Sequence, residues 1–424
     1  MLQLLIIADD FTGALDTGVQ FTTSGAKTKV ITPPLTGLQA IAQDIDVLVI
    51  DAETRHLTAA EAYTVIQKIV TAALALAVPY IYKKTDSALR GNVGAELAAL
   101  LETSGETQLP FLPAYPQIGR YTMRGVHYID GVPVEKSVFG DDPFEPVRSS
   151  AISELIWSQS KVPVRSLPAL TAQAPLPQDK GILVFDAASV EELEITGRRL
   201  LEGERLHIMA GCAGFGAVIP ALLGLKRQQP CAPYTLNPSL LVICGSVNSI
   251  TISQLEHAVK HGFTRVHLTP EQKLQPEYWQ TAEGQAALQQ ILQRVRHAGR
   301  CIIDSNDVAG GASTAEYANR QQLEIEQMRI GVARSLGYIV SNLTAGPDTH
   351  TLLITGGDTL LQCMNYMQVH EMEPLEEIYA GVVVSRFERS GHQRYVISKS
   401  GGFGSEDLLT ELADRLRQRD YPVN

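Results

Sequence analysis

Three polar clusters each follow directly on a short apolar run, and their residue types suit a small anionic molecule that carries hydroxyls. In Ala8-Asp9-Asp10-Phe11-Thr12-Gly13, two adjacent carboxylates end the run Leu4–Ala8. Such a pair can accept hydrogen bonds from a polyol or take a proton from a reacting hydroxyl. The competing structural use is to cap the helix that begins near Gly13. In Tyr82-Lys83-Lys84-Thr85-Asp86-Ser87-Ala88-Leu89-Arg90-Gly91-Asn92, cations and hydroxyls precede a helix entered near Asn92, which is the composition of an anion receptor. Asp86 is out of place where an anion is merely held, so it reads as a group that orients a hydroxyl or acts as base. The structural alternative is a solvated turn with a capping Ser. In Asp51-Ala52-Glu53-Thr54-Arg55-His56, Arg55 has the forked geometry that matches a carboxylate, whereas His56 reads as a bystander.

The second half carries glycines at the same kind of position. Cys244-Gly245-Ser246 precedes the helical pattern Ile250–Val259. Thr355-Gly356-Gly357-Asp358-Thr359 leads into another helix, and Lys399-Ser400-Gly401-Gly402-Phe403-Gly404-Ser405 precedes a helix over Glu406–Arg417. Glycine at a strand-to-helix turn lets backbone amides approach phosphate oxygens, and the helix N-terminus adds a favourable dipole. Three such loops together read as a nucleotide site. G-x-x-x-x-G-K-S/T is missing, which excludes a P-loop kinase.

These clusters need elements to hold them at one edge. Apolar runs at Leu4–Ala8, Lys29–Ile31, Val47–Asp51, Tyr80–Lys83, Ile182–Phe185 and His207–Ala210 alternate with helix-length stretches such as Thr58–Ala77 and Asn92–Thr103. Nearly continuous apolar strands alternating with helices imply a parallel sheet covered on both faces. Ligands then bind beyond the strands' carboxyl ends. Asp130-Gly131 between Val126–Ile129 and Val132–Val134 signals a hairpin. The Pro-rich, aperiodic stretch Leu225–Pro238 separates a second series: Leu240–Cys244, Cys301–Ile303, Leu352–Thr355, Val382–Ser385 and Tyr395–Ser398. Asn319–Tyr338 is expected to form one long helix. The expected fold is therefore α/β, with two domains (residues 1–228 and 229–424). Each is a mainly parallel sheet flanked by helices, with an antiparallel hairpin excursion in the first.

Composition narrows the function. The 424 residues are 45% apolar and 19% charged, with a net charge of −11, as in ordinary globular proteins. The acidic balance argues against duplex nucleic acid or an anionic membrane as partner, so an anionic substrate needs a local cluster of cations and amides. No apolar run is long enough to span a bilayer. The N-terminus reads as a first strand rather than a signal peptide, and the five cysteines lack zinc or disulfide spacing. A cytoplasmic enzyme, with a homo-oligomer left open, is the expectation.

IADDFTGALDTGVQF at Ile7–Phe21, KKTDSALRGNVGAEL at Lys83–Leu97, LITGGDT at Leu353–Thr359 and SKSGGFG at Ser398–Gly404 resemble the four-carbon sugar-acid kinases over nearly the whole chain. The K-T-D-S-x-L-R-G-N form is closest to the D-threonate kinase branch, with D-erythronate and 3-oxo-tetronate kinases as alternatives. The resemblance implies that the N-terminal domain binds the sugar acid through Asp9 or Asp10, Arg55, Lys84, Thr85, Asp86 and Ser87. It implies an ATP site at Ser246, Gly356, Gly357, Asp358, Thr359 and Gly401, with Asp10 or Asp86 serving the attacking hydroxyl. ATP and Mg²⁺ would be the cofactors, the metal ligands being unassigned, and a cleft between the two sheets would bring the substrates together. A non-catalytic regulator that binds nucleotide or sugar acid is the alternative from another class.

Overall fold

Four five-residue strands of the first half expose no side chain, as strands covered on both faces do. These are Leu4–Ala8 (β1), Val47–Asp51 (β3), Gln108–Leu112 (β5) and Gly181–Phe185 (β10). They are joined by Thr28–Ile31 (β2), Tyr80–Lys84 (β4), Val164–Leu167 (β9) and Ile208–Gly211 (β11). The computed structural model describes residues 2–33, 35, 37–142, 145–225, 234–346 and 350–418. The chain divides into two compact units, Met1–Pro230 and Cys231–Asn424. The boundary expected at 228/229 lies outside the described residues.

In the first unit the sheet runs β2-β3-β1-β4-β11-β5-β10-β9, and each of these neighbouring pairs is parallel. Ala8 is level with Asp51 on one side and with Lys84 on the other. The residues that follow these strands therefore emerge side by side at one edge. Helices Phe11–Thr23, Ala59–Ala75 and Val93–Ser104 connect the strands. Thr58 starts the second with a capping box to Glu61, which satisfies otherwise orphaned amides. Leu5, Ile7, Leu48, Ile50, Ile66, Ile81 and Leu97 form part of one core beneath the edge.

The expected hairpin is present and larger. Arg120–Met123 (β6), Val126–Ile129 (β7) and Val132–Pro133 (β8) make a separate antiparallel sheet. Asp130 and Gly131 both have positive φ, at 50° and 83°, as a tight hairpin turn requires. Arg124-Gly125 repeats that geometry between β6 and β7, at 54° and 72°.

The second unit is ordered β13-β14-β12-β15-β18-β17-β16, where β12 is Leu240–Cys244, β13 Thr264–His267, β14 Arg300–Asp304 and β15 Thr351–Thr355. The remaining strands are Glu371–Tyr379 (β16), Val382–Arg389 (β17) and His392–Lys399 (β18). The first four connections in this order are parallel, and β16, β17 and β18 form an antiparallel meander that the sequence reading did not anticipate. The sequence signal is Ser390-Gly391, again with positive φ at both residues, which turns β17 tightly into β18. The single helix expected over Asn319–Tyr338 is two, Thr314–Arg320 and Ile325–Leu343. The break falls where Gln322 takes a φ of 55° and Glu324 opens the second helix with its own capping box. Among the described residues no helix is long and apolar enough to cross a membrane.

Candidate functional site

At the carboxyl edge of the first sheet, Asp9, Asp10, Arg55, Lys84 and Asp86 are all buried or nearly so and in mutual contact. Arg55 donates Nε and Nη2 to Asp9 Oδ2 at 2.8 and 2.7 Å, and Nη1 to Asp10 Oδ2 at 3.0 Å. Lys84 Nζ reaches Asp9 Oδ1 and Asp10 Oδ1, each at 3.3 Å. The fork of Arg55 thus lies on the protein's own carboxylates. The capping reading of the Asp doublet holds for Asp10, which accepts Gly13 N–H at 3.1 Å.

Electrostatics lock these charges. Burial alone would raise the Asp9 and Asp10 carboxyls, but Arg55 and then Lys84 outweigh it and hold both below the usual carboxylate range. Lys84 is raised correspondingly: burial opposes its charge, and Asp9 and Asp10 more than compensate. Asp86 is held well below the ordinary value against the cost of burial, by Arg90 first and Arg55 second. Its Oδ2 accepts from Ala88 N at 3.2 Å, Arg90 N at 3.2 Å and Arg90 Nε at 2.9 Å, while Oδ1 accepts from Arg90 Nη2 at 3.0 Å. This overturns the solvated-turn alternative for Asp86. The carboxylate shapes a buried turn, with three donors on Oδ2 and Arg90 Nη2 on Oδ1. Thr85 is also committed, bonding Gly211 O through its amide at 2.8 Å and its hydroxyl at 3.3 Å.

Several supporting residues escaped the sequence reading. Asn92 does not cap its helix; its amide donates to Thr54 O at 2.9 Å and Leu57 O at 2.7 Å, fixing the loop that carries Arg55. Fully buried Lys83 pairs with Glu96 at 3.0 Å. Arg120 bonds the Ser87 hydroxyl, and its guanidinium lies over the Phe139 ring at 5.1 Å, as does that of Arg90. Burial lowers Arg120. His127 donates Nε2–H to Ser87 O at 2.9 Å, and burial lowers it to about 4, so it serves as a neutral prop. Arg90 and Asn92 were legible in the quoted motif; Arg120 depends on a strand from outside it. His56, set aside as a bystander, pairs with Glu145.

In the second unit the three glycine loops converge at the ends of the adjacent strands β12, β15 and β18. A side chain at Gly401 would meet Ser246 Oγ at 2.7 Å, and one at Gly245 would meet Thr359 Oγ1 at 1.9 Å. Gly356 has a φ of 104°, which side chains rarely adopt, and it opens the helix Gly357–Tyr366. That helix directs its first-turn amides beyond the strand ends. Ser246 Oγ accepts Asn248 N–H at 3.3 Å, and Thr359 is buried between the loops. Asp358 is bonded by Arg329, so it is not a bare carboxylate. Asp304, at the end of β14, accepts from Arg265 at 2.9 Å and from Asn306 N–H at 3.0 Å. Among the described residues no group of three or more His, Cys, Asp or Glu is placed to hold a metal ion.

A family model described as a sugar-binding N-terminal domain matches residues 4–219, and one described as a nucleotide-binding C-terminal domain matches 241–409. A Cupriavidus necator protein named D-threonate kinase is 37% identical, with 96% of each chain covered. The chain belongs to the four-carbon sugar-acid kinase family. A Salmonella typhimurium D-threonate kinase is 26% identical over 97% of both chains, and a Heliobacterium modesticaldum D-erythronate kinase is 26% identical over 100% of both. A solved structure from Salmonella typhimurium LT2 shares the fold at a TM-score of 0.78, with 21% identity, covering 99% of this chain and 100% of that one. Membership makes this an enzyme of the sugar-acid kinase class. The ion cluster lies in the unit matched as sugar-binding, and the glycine loops lie in the unit matched as nucleotide-binding.

Proposed function

We propose that the protein transfers the γ-phosphoryl group of ATP to the 4-hydroxyl of D-threonate. The observation that carries this reading is the buried Asp9–Asp10–Arg55–Lys84–Asp86 cluster, built around Lys84 and Asp86 of the K-T-D-S loop in the unit matched as sugar-binding. Such a net of alternating charges offers fixed donors and acceptors to hydroxyls and a carboxylate without reorganising. Asp10, the most exposed of the three aspartates in the cluster, with 14% of its side-chain surface accessible, is the group we place against the attacking hydroxyl. Phosphoryl transfer goes through a loose transition state that demands little proton abstraction. A strongly acidic carboxylate that orients the hydroxyl therefore suffices.

In the second unit, Ser246, Gly356, Gly357, Thr359 and Gly401 would line the triphosphate through amides and hydroxyls. Magnesium fits this setting as a phosphate-borne ion that keeps several waters, with Asp358 as the nearby carboxylate only if Arg329 releases it. When bound, the ion neutralises charge on the transferring group.

The experiment is a panel of D-threonate, D-erythronate, L-threonate and 3-oxo-tetronate with ATP and Mg²⁺, scored as kcat/KM for ADP formation. A site that hydrogen-bonds a substrate hydroxyl can discriminate strongly against an analogue that misplaces it. D-threonate is expected to lead by at least ~100-fold. A lead for D-erythronate would reassign the substrate and keep the kinase. ADP formation with none of the four acids would sink the reading.

A further inference from the structure

Among the described residues four lysines are buried, and three have a carboxylate: Lys83 with Glu96, Lys84 with Asp9 and Asp10, Lys273 with Asp307. Lys399, the last residue of β18 and level with Thr355, does not. Its ammonium donates to Ser400 O at 3.1 Å, Gly401 O at 3.4 Å and Thr251 Oγ1 at 3.3 Å, all neutral. Among the described residues no carboxylate lies within ion-pair distance of it. A buried cation without a counter-ion is costly unless a ligand supplies one.

The same contacts set the shape of the Ser400–Gly404 turn. Thr251 donates its hydroxyl to Gly401 O at 2.8 Å, and Gln254 donates its amide to Phe403 O at 3.0 Å and Ser405 O at 2.9 Å. The carbonyls of residues 400, 401, 403 and 405 are thus pinned inward by Lys399 and the helix Ser249–Lys260. In a planar trans peptide, the N–H of the next residue points opposite to the carbonyl. The amides of Gly401 and Gly402 are accordingly turned outward, and among the described residues nothing accepts from them. Gly401 lies against Ser246, so these amides emerge within the glycine-loop set.

We propose that Lys399 is a positioning residue for the nucleotide: it holds the turn with the Gly401 and Gly402 amides facing the phosphates and supplies the uncompensated charge behind them. This rests on the reading of the second unit as the nucleotide site. Outward amides backed by a cation form an anion-binding nest. Burial brings the Lys399 ammonium down to about 8. The groups facing it cannot replace the phosphates as counter-ion. Cys244 on β12 stays a neutral thiol, pushed up by burial and by Asp304. The helix Ser249–Lys260 contributes Thr251, and the level residues of β15 and β17 are Thr355 and Val382. A nearby polyphosphate therefore restores the proton, and nucleotide binding should take up protons between pH 8 and 9, above the range where the phosphates themselves titrate.

The test is calorimetric titration of the full chain with ADP at pH 8.5, in two buffers of different ionisation enthalpy. Wild type is expected to absorb a measurable fraction of a proton per ADP. Lys399→Met should absorb none and bind ADP at least ~10-fold more weakly, while the KM for the acid stays the same. Thr251→Val keeps the ammonium but loses one pin, so it should weaken ADP binding and retain the proton uptake. Unchanged ADP affinity in Lys399→Met, or in Thr251→Val if the lysine variant does not fold, overturns the proposal and leaves the kinase reading standing. Failure of wild type to bind any nucleotide overturns both.

Discussion

Arg55→Met is expected to cost about 3–5 kcal/mol of stability in the first unit and at least ~100-fold in kcat/KM. Arg55 is the shared counter-ion of the cluster, bonded to Asp9 and Asp10 and 3.7 Å from Asp86. Removing it leaves three buried carboxylates to Lys84 and Arg90. Breaking a buried pair from one side costs far more than the pair is worth, because the abandoned charge remains out of water. The sign of the pH dependence separates this from a packing defect. In wild type the three carboxyls are held below the value of about 3.8 that they have in the unfolded chain. Their stabilisation is therefore fully present above pH ~4 and is lost only as acid falls through the folded values. In the variant these carboxyls rise, and protonation relieves them. The gap in melting temperature between wild type and variant should be widest at pH 7 and close as the pH falls toward 4. A gap that is small or independent of pH would show that Arg55 is not the counter-ion. The transition to follow is that of the first unit, since two units need not melt together.

The convergence of Asp9, Arg55 and Lys84 was legible because parallel strands leave no freedom. Once Leu4–Ala8, Val47–Asp51 and the strand starting at Tyr80 are adjacent and parallel, the residues after them must share an edge. Which cation each carboxylate takes was not legible. Asp86 and Arg90 stand four apart in one loop, and nothing in their types reveals that the arginine folds back to saturate the aspartate. Lys83 and Lys84 look alike in sequence. The alternation of a strand sends one down to Glu96 in the core and the other up to the aspartates. The meander β16–β17–β18 was missed for another reason. Its turn residues are Ala380-Gly381 and Ser390-Gly391 rather than the Asn-Gly or Asp-Gly pair that announces such turns, and β16 carries four acidic residues that mask its apolar alternation. Lys399 was quoted within a glycine loop yet left out of the site. The loop was read for its glycines, and the lysine's burial, which its type and position do not reveal, is what sets it apart.

Asp10→Asn should lower kcat by about 10²–10⁴-fold while ADP binding and the fold survive. An asparagine oxygen can still accept Gly13 N–H, so the helix cap is kept. What is lost is the negative charge that Arg55 and Lys84 stabilise and the acceptor lobe offered to the substrate hydroxyl. Asp86→Asn can keep one oxygen on the Ala88 and Arg90 amides but loses the charge and turns an NH2 against Arg90, so it should destabilise the turn as well as impair turnover. The pH profile distinguishes orientation from proton abstraction. Because Asp10 is held so far below the carboxylate range, it is ionised throughout pH 5–9, and wild-type kcat/KM should show no acid limb attributable to it there. A limb near pH 6–7 in the kcat profile that disappears in Asp10→Asn would mean that the bound state raises this carboxyl into the range of a working base. Near-normal kcat in Asp10→Asn, alongside a folded but inactive Asp86→Asn, would instead move the hydroxyl-facing role to Asp86 and require Arg90 to withdraw when the acid binds.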